Sequence, residues 1–345
     1  MRAGIKAIEY ALPKNILTNE QLANEFAEWS AEKIEQKLGV VSRYIAGEKE
    51  FASDLAVSAA QKLFSSGCCL PEEIDFLLFC TQSPDYLLPT TACILQERLK
   101  LPNGTGALDF NLGCSGYIYG LGLAKGIVET GQARNVVLLT GDTYSKYLHQ
   151  DDKSVRTLFG DGASATLISS VETNSAHDPI GPFCYGTDGR GAKNFIVPTG
   201  GCRAPRLNPG EAGSLDKNSS LPTEECLFMD GPEIFTFSIK SVPQVIDRLL
   251  SKEGLEMERV DYFIFHQANK YMLEFLQKKM RIPPHKFYNP LSYTGNTVSS
   301  SIPIALKQAS LDGLISSGQR ILLAGFGVGY SWGATLVEWP EEFYG

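Results

Sequence analysis

The stretch EEIDFLLFCTQSPDY (72–86) returns 186 residues later as ERVDYFIFHQANKYM (258–272). Each copy runs from charged residues into an uninterrupted apolar segment and ends in small or polar residues. A short run that is apolar on both faces reads as a fully buried strand of a mostly parallel sheet. ARNVVLLTGDT (133–143) and GQRILLAGFGV (318–328) repeat at nearly the same offset, and GASATLISS (162–170) resembles GATLVEW (333–339). Between these runs lie helical patterns at 53–66, 91–101, 117–131, 237–254 and 273–280. Alternating strands and helices predict an α/β fold, and the repetition predicts two similar halves, 1–172 and 173–345. In such sheets the chemistry sits at the carboxyl ends of the strands.

Composition narrows the class. The chain has 345 residues, 43% of them apolar and 20% charged, with a net charge of −8. That is a globular composition with a sizeable core, and its acidity argues against a nucleic-acid surface. No apolar run reaches signal-peptide or membrane-span length, so a cytoplasmic protein without a membrane segment is expected. The eight cysteines show no paired Cys-x-x-Cys spacing, which predicts neither a zinc site nor a disulfide framework. Cys80 and Cys93 read as small core residues. The segment TGGCRAPRLNPGEAGSLDKNSSLPT (199–223) has no periodicity. It reads either as a flap over a site or subunit interface, or as a surface excursion.

One cysteine differs from the rest. Cys114, in DFNLGCSGYIYGLGLAKGI, follows a strand-like segment and precedes a helical one. The N–H groups and positive dipole of a helix start predict a thiol shifted toward thiolate. His266 follows the buried run DYFIF, whereas His149, His177 and His285 read as structural. Asn296 stands in a Gly-Asn-Thr turn. Together Cys114, His266 and Asn296 form a candidate acyl-transfer centre.

At these residues the chain resembles the thiolase superfamily, and within it the β-ketoacyl-acyl carrier protein synthase III family. The resemblance spans essentially the whole chain. It rests on NLGCSGY around Cys114, His-Gln-Ala-Asn at 266–269, Gly-Asn-Thr at 295–297, Phe-Gly-Asp-Gly-Ala at 159–163, GFGVGYSWGA at 325–334 and MDGPEIFTFSI at 229–239. It implies a homodimer of thiolase-like αβαβα five-layer subunits with internal duplication, built on two five-stranded sheets. It also implies an acyl-Cys114 intermediate formed from an acyl thioester. A malonyl-acyl carrier protein then loses carbon dioxide, and its carbanion attacks the acyl group. His266 and Asn296 would stabilise the malonyl oxyanion, and the backbone N–H groups of Cys114 and Val328 the acyl one. The substrates are the thioester and the carrier protein; no cofactor or metal is implied. Asn296 argues against the elongating relatives, which use a second histidine. Thr81 and Gln82 stand where hydroxymethylglutaryl-CoA synthase carries its glutamate.

The resemblance has departures. Where the family often sandwiches coenzyme A adenine between tryptophan and arginine, the matching positions read as Lys33 and Lys37, with Lys153 a further basic position. Asn269, Lys270, Lys278, Lys279 and Arg281 follow His266 and would offer a basic face to an acidic carrier protein. Leu88 matches a residue the partner subunit lends to the acyl channel, and its shape predicts a primer longer than acetyl or branched. Val328 replaces a glycine common in the family. The alternative function is a same-fold acyltransferase that passes its acyl group to an oxygen, nitrogen or unusual carbon nucleophile.

Overall fold

The computed structural model describes residues 1–26, 28–172, 177–205 and 225–344. Its first sheet runs in the order Arg2–Ala11, Gly162–Val171, Asn135–Asp142, Phe76–Cys80, Gly106–Phe110. The last three strands are mutually parallel; the other two pair antiparallel. The second sheet repeats that order with Ile180–Thr187, Ser331–Glu338, Arg320–Gly327 and Tyr262–Phe265. The repeated apolar runs of the sequence are therefore equivalent strands.

Period-two alternation explains why those runs are apolar throughout. In the first sheet Leu78, Val136, Leu138 and Ile168 enter a central cluster, while Leu77, Phe79, Val137 and Leu139 enter an outer one. In the second, Ile264, Ile321 and Leu323 join the same central cluster, while Phe263, Phe265 and Leu322 face a third. Helices Gly116–Glu129 and Ser301–Leu311 fill the central cluster with Tyr117, Ile118, Leu121, Ile302 and Leu306. Ala52–Ser65 covers one outer face; Gly231–Glu253 and Lys270–Lys279 cover the other. The result is five layers, α–β–α–β–α. Each fully buried Leu, Ile or Phe adds about 1.5–3 kcal/mol, so both faces of both sheets need covering.

Two expectations change. The second sheet has four strands among the described residues, not five. Where the fifth would lie, Phe287 makes only an isolated parallel bridge to Phe263. Pro290 follows three residues later and has no N–H to continue a ladder. Cys80 is buried as expected, but Cys93 is exposed on helix Thr91–Arg98. The junction expected at 172/173 adjoins residues 173–176, and most of the 199–223 segment (206–223) likewise lies outside the described residues. Of its described part, Gly200 N–H donates to the Ala204 carbonyl at 2.8 Å, closing a tight turn.

Candidate active site

The carboxyl ends of the strands converge on one small chamber of about 60 Å³. Cys114, His266 and Asn296 all line it, with Phe159, Phe326 and Asn269. Each is placed by its own local structure. Cys114 stands one residue before Ser115, the N-cap of the central helix Gly116–Glu129. Ser115 Oγ bonds Ser331 Oγ at 2.8 Å and so ties that helix start to the other half. Gly327 closes the chamber over the nucleophile. A Cβ there would fall 2.8 Å from Cys114 Cβ and 2.9 Å from Sγ, so only glycine lets the strand pass.

The thiol itself departs from expectation. Burial pushes Cys114 up to about 12, and the charge of Asp142 adds to the rise. The backbone N–H groups of Cys114 and Val328 reach the sulfur and pull the other way, but they do not prevail. Desolvation outweighs the helix start, so the resting nucleophile is a thiol rather than a thiolate. The same two N–H groups are the pair expected to hold an acyl oxyanion. Val328 keeps its donor despite its side chain.

His266 follows strand Tyr262–Phe265, and its backbone N–H donates to Ala324 O at 2.8 Å. Burial drives its pKa down to about 3, so the imidazole is neutral. Its Nδ1 lies 2.7 Å from Ser301 Oγ, which also accepts the N–H of Gln267 at 3.3 Å. With an oxygen lone pair used by Gln267, the Ser301 hydroxyl proton is free to turn to Nδ1. That arrangement accommodates the Nε2–H tautomer, which would aim a donor into the chamber.

Asn296 lies beside it, Nδ2 at 3.4 Å from His266 Nε2. Its Oδ1 accepts the Val298 N–H at 2.9 Å, which fixes the amide with nitrogen toward the site. Val298 holds φ at 54°, a rare conformation for a β-branched residue, and here it serves that hydrogen bond. The backbone of Asn296 is clamped to the Phe-Gly-Asp-Gly-Ala loop through Leu158 O and Gly160 N, both at 3.0 Å.

Asp142, at the end of strand Asn135–Asp142, was not singled out by the sequence. It is buried and accepts Gln82 N–H at 2.8 Å and Ser299 Oγ–H at 2.5 Å. Burial raises its pKa to about 7, against those hydrogen bonds.

The basic residues divide into two groups. Lys37, Asn269 and Lys270 line a groove of about 490 Å³ that shares Asn269 with the chamber. Lys33 and Lys37 stand 5.6 and 5.2 Å from the Trp29 ring, and Lys153 pairs with Glu28. Trp29 thus stands four residues before Lys33, with both lysines over its ring. Lys278 pairs with Glu274 at 3.6 Å, and Lys279 Nζ donates to Ile239 O at 2.7 Å. Leu88 is 86% exposed and lines neither the chamber nor the larger cavity next to it.

Known proteins fit this arrangement. Residues 108–189 match the 3-oxoacyl-[acyl-carrier-protein] synthase III family and residues 250–339 its C-terminal part. The β-ketoacyl-[acyl-carrier-protein] synthase III of Caldanaerobacter subterraneus subsp. tengcongensis is 37% identical over 339 residues, 98% of each chain. A crystal structure of a 3-oxoacyl-(acyl-carrier-protein) synthase III is 52% identical, with TM-score 0.94 over 98% of this chain and all of the other. The corresponding synthase from Burkholderia xenovorans LB400 is 35% identical, with TM-score 0.90 over all of this chain and 96% of the other.

Proposed function

From the premise that the chain belongs to the 3-oxoacyl-[acyl-carrier-protein] synthase III family, we propose that Cys114, His266 and Asn296 carry a decarboxylating condensation that starts acyl chains. The observation that supports this division of roles is their convergence in one enclosed chamber, with two backbone N–H groups already on the sulfur.

In the first half-reaction the Cys114 sulfur attacks the carbonyl of an acyl thioester. The carbon–sulfur bond to the carrier breaks, and the departing thiolate takes up the proton that Cys114 gives up. In the second, a malonyl thioester loses its carboxylate as carbon dioxide. The electron pair of that bond becomes an enolate, whose oxygen receives hydrogen bonds from His266 Nε2–H and Asn296 Nδ2–H. Its carbon attacks the acyl-Cys114 carbonyl, and the N–H groups of Cys114 and Val328 hold the resulting oxyanion. Collapse breaks the acyl–sulfur bond, and one proton from solvent restores the thiol. Each preorganised donor at a developing oxyanion is worth about 3 kcal/mol. A neutral imidazole keeps one N–H, and with that proton on Nε2 it can donate to the enolate oxygen. The cycle uses only its two thioester substrates.

Lys37 and Lys270 line the open groove, with the Trp29 ring beside Lys37, and suit the phosphates and base of a carrier such as coenzyme A. Lys270, with Lys278 beyond it, offers the acidic carrier protein a basic face. We read the halves 1–172 and 173–345 as the two units of a cytoplasmic homodimer's subunit. No helix among the described residues is long and apolar enough to cross a membrane. Strand Gly106–Phe110 ends its sheet unpaired on one side, and Leu87, Leu88 and Leu123 are exposed apolar residues. Such an edge calls for cover. Light scattering should give twice the monomer mass.

The deciding test loads the protein with an acyl-CoA, maps the adduct, and then adds malonyl-acyl carrier protein labelled in its free carboxyl. Acylation at Cys114 and labelled carbon dioxide in step with product support the reading. Acylation without carbon dioxide release favours transfer to another nucleophile instead.

A further inference from the structure

Beside the Cys114 chamber lies a second cavity of about 730 Å³. Val328, whose N–H reaches the sulfur, lines it, and Phe195 lines both spaces. One hydrogen-bonded pair stands where they approach each other. The Tyr144 ring is buried and packs 5.1 Å from Phe159 and 6.4 Å from Phe195, both residues of the chamber wall. Its hydroxyl donates to Gln82 Oε1 at 2.5 Å.

Gln82 is held from several directions. Its backbone N–H donates to Asp142, its Nε2 donates to Asn111 Oδ1 at 3.1 Å, and its carbonyl accepts Tyr147 O–H at 3.0 Å. Its amide oxygen lies so close to Gly113, the residue before the nucleophile, that a Cβ there would sit 2.4 Å away. Tyr144 and Gln82 thus line the large cavity, and the Tyr144 ring backs onto Phe159 and Phe195 of the chamber wall.

We propose that the Tyr144–Gln82 pair is the length stop of the acyl site. This rests on the reading that Cys114 carries the acyl group. A chain that ends before the pair leaves it intact. A longer aliphatic chain must push the ring out of its aromatic cluster and part the hydroxyl from the amide. An alkyl chain offers those two buried polar groups no replacement partner, so passage is costly. The large cavity is therefore closed to acyl groups in the resting enzyme, although its size alone would admit a long chain. Acetyl, propionyl and isobutyryl groups load; octanoyl and lauroyl groups do not.

The test is competitive loading of the full-length protein with equimolar acetyl-, butyryl-, octanoyl- and lauroyl-CoA, read by intact mass and peptide mapping. The unaltered enzyme should carry acetyl and butyryl on Cys114, with lauroyl at least about tenfold lower. Tyr144→Ala should raise the lauroyl share about tenfold or more relative to acetyl. Gln82→Ala keeps the ring but removes its acceptor, and should give a smaller shift in the same direction. It supplies the readout if Tyr144→Ala does not fold. Equal lauroyl and acetyl loading by the unaltered enzyme overturns the proposal, as does an unchanged chain-length order in both folded variants. If no thioester acylates Cys114 at all, the functional reading falls, and the stop with it.

Discussion

Ser301 Oγ lies 2.7 Å from Nδ1 of His266, on the side of the ring away from Asn296. The serine opens the central helix Ser301–Leu311, so Nδ1 of the histidine is met by a helix start in the middle layer. Ser301→Ala removes the proton that holds Nδ1 as acceptor. Condensation should fall roughly a hundredfold, the scale of losing a well-placed proton donor. Acylation of Cys114, which does not use Nε2–H, should change little. Single-turnover acylation measured beside steady-state carbon dioxide release separates the two.

Asn296→Ala removes one of two donors to the enolate. Carbon dioxide release should drop about 10²–10³-fold while acyl-Cys114 still forms. Loss of both steps together would assign Asn296 to the first half-reaction instead.

Gly327→Ala places a methyl where only 2.8 Å separates it from Cys114 Cβ. Here the expected defect is the reverse, with acylation and iodoacetamide labelling of Cys114 both slowed at least about tenfold. A melting temperature close to that of the parent would show that the defect is local.

Asp142 and His266 pull stability in opposite directions with pH. The folded protein holds Asp142 near 7 against 3.8 for an ordinary aspartate, so it binds the extra proton. This contribution weakens the fold as pH rises from about 4 through about 7. The folded protein holds His266 near 3 against 6.5, so acid favours the unfolded chain and stability falls below about 6.5. Melting temperature across pH should therefore respond oppositely to Asp142→Asn, which flattens the loss as pH rises from about 4 to about 7, and His266→Gln, which flattens the loss as pH falls below about 6.5. Above pH 7, Asp142→Asn should also speed Cys114 alkylation, because a neighbouring negative charge has been removed.

The duplicated strands and the three residues that meet in the chamber were legible because each is written into a short local pattern: an apolar run, or a motif beside it. The contacts that tune them were not. Ser299 meets Asp142 across 157 residues, and Ser301 meets His266 across 35, and nothing in a run of serines says which carboxylate or ring each will find. The thiolate expected at Cys114 failed for a related reason. A helix start is visible in sequence, whereas complete burial of the sulfur depends on Gly327 and on strands from both halves.

The repeated strand order pairs positions across the two halves. Helices Gly116–Glu129 and Ser301–Leu311 begin 185 residues apart, and so do strands Asn135–Asp142 and Arg320–Gly327. Carried across, that spacing makes Ser299 the counterpart of Cys114, and Asp142 the counterpart of Gly327. Gly327 crowds Cys114 just as Asp142 bonds Ser299. The fold thus holds two homologous helix-start positions facing two homologous strand ends. One carries Cys114 beneath a glycine; the other carries Ser299 in a buried polar clasp with Asp142, so the same frame serves a thiol in one half and a fixed hydrogen bond in the other.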